Sequence, residues 1–415
     1  MISNHDCYTI VSMKILLINT NYGGGAGIAC RRLHKALLAA GYDSSLLVLD
    51  KVDSPEEKNI YSIQEIISKK YGGLYFILLK FINRIFNKLP TLLTEKAYIN
   101  GPSSFFRINQ FPIFKESDII HLHWVPKIIS YKHVFADKQK VFFWTLHDMN
   151  PFTGGNHYTT DLDYTPFENL LRKNREKKKI YLKGADLTVI SPSKWLAKLA
   201  KESEVFKNFE VHHIPNCIDV KIFRPSDKIQ TREKLKINFQ GKTFILFVAE
   251  DPNDKRKGMH ILLNALKQLK NKDQFCLLIV GKEMEIADIG IQVIQLGFIR
   301  KEADLADCYN AADFFVTPSI EDNLPNTILE SLACGIPSLA FNTGGIPDLI
   351  EHKQNGYLAD QISPEDLVKG ILWLGDNLKN NSLQLNARNK VTSNYTYDIV
   401  TQRHVQLYAL KVHSK

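Results

Sequence analysis

Cysteine is scarce in this sequence and never closely paired. Cys7, Cys30, Cys217, Cys276, Cys308 and Cys334 are scattered, with no C-x-x-C among them. That argues against a zinc site or a disulfide framework and for a reducing, cytoplasmic setting. An uninterrupted apolar run of membrane-spanning length is also lacking: the most apolar stretch, Gly73 to Phe86, is broken by Lys80 and Arg84, which makes it a poor candidate to cross a bilayer. No internal repeat, low-complexity segment or secretory signal is evident. Acid is short relative to base, 44 Asp+Glu against 53 Lys+Arg for a net charge of +9. The imbalance points to a negative partner: nucleic acid, anionic lipid or a phosphorylated substrate.

What is present is ample for a large core. At 415 residues, 44% hydrophobic and 23% charged, the chain is expected to fold as two globular domains. Residues 1–12 are polar and precede the first strand, so they read as an N-terminal extension or a start assigned too early.

The most informative stretch is Thr317 to Ile350, TPSIEDNLPNTILESLACGIPSLAFNTGGIPDLI. The apolar run Asp313 to Val316 before it reads as a strand. Pro325 sits at a first helical position, with Asp322 and Asn323 as capping candidates, and Gly335 and Pro337 stop the helix. A second strand, Ser338 to Phe341, leads through Asn342-Thr343-Gly344-Gly345 to another helix start at Ile346-Pro347. Two open helix N-termini on one sheet edge would suit phosphate. Glu330 falls about 8 Å along the first helix, a reach from diphosphate to ribose, where a carboxylate can accept from both hydroxyls. An isolated acidic pair would be a cap and a solvated residue; the proline, the Gly-Gly turn and the flanking strands favour a site.

Asp322, seven intervening residues and Glu330 in L-E-S-L-A-C-G-I-P resemble the donor-binding signature of the retaining glycosyltransferase family four. EDNLPNT and TLHDMNPFTGG resemble its bacterial exopolysaccharide and lipopolysaccharide branch. The resemblance covers nearly the whole chain from Met13. It implies an α/β, GT-B fold: two Rossmann-like doubly wound domains facing across a cleft. The expected acceptor-binding domain is 13–222, the nucleotide-sugar-binding domain 223–397, and a terminal helix, 398–415, crosses back to the first. Aspartate stands at 322 where the family usually has glutamate, with Glu321 one residue out of register, so its reach to the sugar is shortened by a methylene.

The rest of the chain adds local readings. Lys14 to Thr20 is a strand, Asn21 to Gly27 a glycine loop and Ile28 to Ala40 a helix. The loop does not fit G-x-G-x-x-G, so by itself it is a weak nucleotide fingerprint or a plain βα turn; the resemblance places Gly24 and Gly25 against the donor diphosphate and acceptor. Strands end at His121 to Trp124 and at His147-Asp148, on the edge where α/β proteins keep their chemistry. By resemblance His147 contacts the transferred sugar, Asp148 and the loop Asn150 to Tyr158 line the acceptor side, and His123 is their neighbour. Glu250 replaces the family's usual arginine, leaving Arg256 and Lys257 as the phosphate pair, able to stabilise a leaving diphosphate without metal. Gln292 to Leu296 with Phe298 and Ile299 resembles the base-reading segment. Asp161-Leu162-Asp163 is formally a D-x-D, read as coincidental in its polar loop.

Two basic stretches stand apart. Ile66 to Asn100 reads as a basic amphipathic helix, either interfacial to a membrane or packed on the core. Arg172 to Lys183 is a solvated helix face or a docking surface for phosphoprenyl lipid. Phe223 to Arg232 reads as the interdomain linker.

The expected function is retaining, metal-independent transfer of a hexose from a nucleotide-diphosphate sugar to a glycan or polyprenyl-diphosphate-linked acceptor in bacterial surface polysaccharide synthesis. No cofactor, no metal site and no nucleic-acid partner are expected, with peripheral contact to an anionic membrane. Catalytic candidates are His147, Asp322, Arg256 and Lys257. Donor candidates are Gly24, Gly25, Phe298, Ile299, Leu324, Pro325, Asn326, Thr327, Glu330, Gly344 and Gly345. The alternatives are a sugar-nucleotide epimerase of the same fold and a basic nucleic-acid-binding protein.

Overall fold

Short apolar runs separated by helical segments dictate parallel sheets covered on both faces. The computed structural model describes residues 13–52, 57–88, 99–158, 167–237, 241–379 and 381–413, and it contains two such sheets. The first is built from β1 (Lys14–Ile18), β2 (Asp43–Val48), β3 (Ile60–Ser62), β4 (Ile119–Leu122), β5 (Val141–Thr145), β6 (Asp186–Ser191) and β7 (Glu210–His213). Its order is β3-β2-β1-β4-β5-β6-β7, all parallel. The second comprises β8 (Thr243–Val248), β9 (Phe275–Val280), β10 (Gln292–Gln295), β11 (Phe314–Thr317), β12 (Ser338–Phe341) and β13 (Gly356–Ala359), in the order β10-β9-β8-β11-β12-β13.

Strand alternation feeds two cores in each domain. Along β1, Leu16 and Ile18 enter one layer while Ile15 and Leu17 enter the other; along β8, Phe244 and Leu246 oppose Ile245 and Phe247. Each such fully buried side chain contributes about 1.5–3 kcal/mol. The Tyr397–His413 helix packs on the first sheet, far from its neighbours in sequence: Val400, Leu407 and Tyr408 lie in one core with Met13, Ile15 and Cys30.

Strand order reverses beside β1, between β2 and β4, and beside β8, between β9 and β11. Loops leaving the carboxyl ends of strands flanking such a reversal splay apart and leave a crevice. The two crevices face each other here, so the strand order itself fixes where the site lies.

Several sequence expectations are corrected. The 66–100 segment is not one helix: Gly72 separates Ile63–Tyr71 from Gly73–Lys88, and 89–98 lies outside the described residues, as does Asp161-Leu162-Asp163. The supposed linker 223–232 is partly helical (Lys228–Lys234), and Lys228 and Arg232 tie it to Asp313 at 2.7 and 2.9 Å. Ile346–Asp348 is a single 3-10 turn, not a second helix N-terminus.

Candidate active site in the interdomain cleft

The facing crevices form a cavity of about 530 Å³. From the first domain it is lined by Gly24 and Gly25 at the start of the Gly24–Ala39 helix, and by Trp124, His147, Asp148 and Tyr158. From the second come Glu250, Arg256, Lys257, Phe298, Ile299, Asp322, Leu324 to Thr327 and Glu330.

The cations are placed by a turn. Asp254 Oδ1 accepts from the Arg256 amide at 3.0 Å and so caps the Lys255–Lys257 3-10 turn. Gly258 follows with φ +73°, where a β-carbon would fall 1.9 Å from Pro318 O. Lys257 Nζ donates to Asp322 Oδ2 at 2.6 Å, and Arg256 Nη1 lies 3.5 Å from the same oxygen while donating to Glu321 O at 3.0 Å. The Arg256 guanidinium also covers the Tyr158 ring at 4.6 Å. Burial opposes ionisation of Asp322, but Lys257 and Arg256 outweigh it and hold its carboxyl below the ordinary value. Asp322 thus serves as counter-ion to two cations that face open space.

The Asn326–Ala333 helix, with Pro325 at its N-cap, presents Leu324 to Thr327 to the cleft. Gly344 and Gly345 do not line it. They sit beneath the Asp322 loop: the Gly345 amide donates to Asp322 O at 3.0 Å, and a β-carbon at Gly345 would fall 1.7 Å from Asn323 O. Their service is to let the Asp322–Asn323 backbone approach.

Glu330 borders the cleft but is only 2% exposed. Its Oε1 accepts from Arg32 Nη2 at 2.8 Å and its Oε2 from the Tyr309 hydroxyl at 2.9 Å. Arg32, from the first domain's Gly24–Ala39 helix, also reaches Glu302 at 2.8 Å and lies over the Phe223 ring at 5.0 Å. Burial disfavours the Arg32 charge, yet Glu330 and Glu302 outweigh it and raise its pKa. Further bonds join the domains around the cavity: Asn326 Nδ2 to Gly25 O (2.9 Å), Ser193 Oγ to Asn323 Oδ1 (2.6 Å) and Asn323 Nδ2 to Leu146 O (2.9 Å).

The first-domain wall is built differently. Nε2 of His147 lies 3.0 Å from Nδ1 of His123, with the rings stacked at 5.2 Å. Burial lowers the His147 pKa to about 4 against the opposing pull of Asp148, so its imidazole is neutral at pH 7. His123 is buried behind it and does not reach the main cleft; it lines a smaller cavity with His147, Asp148 and Asn150. Asp148 is occupied: Oδ2 takes Trp124 Nε1 at 2.7 Å and lies 2.5 Å from His157 Nδ1, and Oδ1 accepts from the Asn150 amide at 2.9 Å. Burial works against its charge, but His157 keeps its pKa low. Asn150, expected on the acceptor side, braces this wall by donating to Gly155 O at 2.8 Å and Asn100 O at 3.2 Å.

The basic Glu168–Leu182 helix is not a uniform docking face. Leu171, Asn174, Lys178 and Leu182 are buried. Lys178 Nζ donates to the carbonyls of Asn150 and Thr153, and burial lowers its pKa to about 7, with Asp148 opposing. His157 and Tyr158 fall within the loop expected on the acceptor side, whereas Arg32, Tyr309, Glu302 and Lys178 were missed from sequence. Their spacing carries no motif, and the one available signal, a basic residue within the apolar stripe of a helix, marks Arg32 and Lys178 alone.

Two facing doubly wound domains with cations, an acid and a helix N-terminus in the cleft define a GT-B protein. The Glycosyltransferase Family 4 model matches residues 23–222 and the Glycosyl transferases group 1 model matches residues 242–377. The chain belongs to glycosyltransferase family 4 of the GT-B fold. It is 33% identical over 99 residues to an uncharacterized glycosyltransferase of Haemophilus influenzae, covering 24% of this chain and 26% of that one. It is 22% identical over 304 residues to the N-acetyl-alpha-D-glucosaminyl L-malate synthase of Bacillus anthracis, covering 70% and 74%. The chain thus spans about a quarter of the first relative and about three quarters of the second. A sucrose-phosphate synthase of Thermosynechococcus elongatus shares the fold at TM-score 0.69 and 19% identity, over 97% of this chain and 100% of that one.

Proposed function

We propose that the protein transfers a hexose from a nucleotide-diphosphate sugar to a glycan or lipid-linked saccharide, with retention at the anomeric carbon, in bacterial surface polysaccharide synthesis. The observation that carries this reading is the meeting of Arg256, Lys257 and the Leu324–Thr327 helix end with His147 across one cleft. The cations and helix end would take the diphosphate. Phe298 and Ile299 would meet the base, and Glu330 the ribose: each carboxylate oxygen has a second lone pair beyond those used by Arg32 and Tyr309. Neutral His147 would hydrogen-bond the sugar from the first-domain side.

In this reading the donor phosphates take over Lys257 and Arg256 from Asp322, which turns toward the sugar hydroxyls. The charge developing on the leaving diphosphate is then met by fixed cations, and no metal is required of the residues named. Asp148, close to His147, is held by His157, Trp124 and Asn150, which favours same-face attack assisted by the leaving phosphate over a covalent intermediate on that carboxylate. The buried, unpaired cysteines 30, 217, 276, 308 and 334 suit a reducing cytoplasm.

The test is a thermal-shift panel of UDP, GDP, ADP and their sugar conjugates, with and without EDTA, on the wild type, Lys257→Ala and Glu330→Ala. A metal-independent shift for one nucleotide, lost in both variants, is the expected result. An EDTA-sensitive shift would overturn metal independence. No shift with any nucleotide would sink the donor reading, and interconversion of a nucleotide sugar without acceptor would favour an epimerase.

A further inference from the structure

The Gly73–Lys88 helix is packed inside out. Its buried positions are Phe76, Asn83 and Asn87, whereas Leu74, Ile77 and Phe81 are 84%, 62% and 59% exposed and Leu78, Ile82 and Ile85 are exposed with them. Spacings of three and four residues join these six into one stripe, lengthened by Phe86, which meets the exposed Phe105 edge-on at 5.3 Å. Polar groups hold the helix in this orientation. Asn83 Nδ2 donates to Lys127 O at 2.7 Å, Asn83 Oδ1 accepts from the Phe105 amide at 3.1 Å, and Asn87 Nδ2 donates to Asn83 O at 2.8 Å. Turning the apolar stripe inward would strand two buried amides, so the outward face is fixed by its anchor. An apolar stripe of this extent on a water-facing surface marks an interaction site.

The charges around the stripe identify the partner. From Ile66 to Lys88 there is no Asp or Glu, against Lys69, Lys70, Lys80, Arg84 and Lys88. Lys80 is paired to Asp50 at 2.5 Å; Lys69, Lys70 and Arg84 are exposed on the same helical pair. A second copy docked here would set this basic border against itself, whereas an anionic bilayer complements it and takes the apolar side chains at headgroup depth. Among the described residues no helix is long and apolar enough to cross a membrane, so contact would be from one side. We propose that the outward face of the Gly73–Lys88 helix docks the protein on an anionic lipid bilayer.

The anchor gives the docking a direction. Lys127 O, which holds Asn83, follows Trp124, Val125 and Pro126, the loop that walls the small cavity beside His147 and Asp148. The bilayer would therefore lie on the first-domain side of the cleft, where a lipid-linked saccharide would enter. That last step rests on the transferase reading; the docking itself does not, because it is measured without donor or acceptor.

The experiment is flotation of the full chain with mixed phosphatidylglycerol–phosphatidylcholine vesicles and with phosphatidylcholine alone, at low and high salt. The wild type is expected to float with the anionic vesicles and only weakly with the neutral ones, less so at high salt. Phe81→Asp/Ile85→Asp should lose at least about tenfold in binding. Lys69→Glu/Lys70→Glu/Arg84→Glu should lose the preference for phosphatidylglycerol. All five side chains face solvent, so both variants should melt with the wild type. Failure of the wild type to float, or flotation unchanged in both variants, overturns the proposal. So does a concentration-dependent dimer that the Asp variant dissolves in the absence of vesicle binding, which would assign the face to a second copy.

Discussion

The two walls of the cleft differ in the side chains at their centres. On the second-domain side the central ionised groups have charged counterparts: Lys257 and Arg256 with Asp322, and Glu330 with Arg32. On the first-domain side the histidines at the strand ends are stacked, buried and neutral, with His123 and His147 sharing one hydrogen bond. Paired charges can exchange a carboxylate for a phosphate at little desolvation cost, because the ion was never alone. Neutral imidazoles offer hydrogen bonds without drawing a second negative group into the site. The difference fits the proposed division of labour, with anion binding on one wall and uncharged sugar contacts on the other.

Four measurements would break or sharpen that contrast. The largest effect is expected at Arg32. Arg32→Met leaves the Glu330 carboxylate buried without its cation and should lower stability in urea by about 3–5 kcal/mol. Adding Glu330→Gln should recover part of the loss; no recovery would mean that the cost is packing against Phe223. Next comes Lys257→Ala, expected to reduce turnover by about 10²–10³-fold through loss of one charge at the developing oxyanion, with the fold intact by circular dichroism.

The third is a pH effect from the neutral wall and its support. His404 is lowered by burial from 6.5 to about 4, and His121 and His123 lie well below the ordinary value for the same reason. Between pH 6.5 and 4 the unfolded chain binds protons that the folded chain refuses, so stability falls as pH drops through that window. Each histidine contributes up to about 1.4 kcal/mol per pH unit. The melting temperature should drop from pH 7 to 4.5, less steeply in His404→Gln; identical slopes would remove His404 from the account. The smallest effect separates neighbours on one helix: Lys177→Ala, on the exposed side, should change stability by no more than about 0.5 kcal/mol, whereas Lys178→Ala should cost clearly more.

The fold was legible because parallel strands buried on both faces must be written as continuous apolar runs, and KILLI, VFFWT, TFILFV and FCLLIV are such runs. Arg256, Lys257, Asp322 and the Pro325 helix end were legible because turn and cap chemistry is local. Arg32 and Tyr309 were not: the meeting of Arg32 with Glu330 depends on how one domain closes on the other, and that of Tyr309 on how two helices of the second domain pack, neither of which a local pattern encodes. Gly344 and Gly345 were read as phosphate ligands because a Gly-Gly turn after a strand looks the same whether it approaches a ligand or another backbone. The Gly73–Lys88 helix misled in another way: amphipathicity states that a helix has two faces and leaves open which one the protein keeps.

The Tyr397–His413 helix carries a consequence for biosynthesis. It completes the core that holds Met13, Ile15 and Leu17, so that layer waits for a segment almost four hundred residues further along the chain. The second domain can complete its sheet in the interval, whereas in the first the layer shared by β1 and the Gly24–Ala39 helix stays incomplete until that segment docks. Maturation of the first domain is thereby tied to a segment that lies beyond the whole of the second.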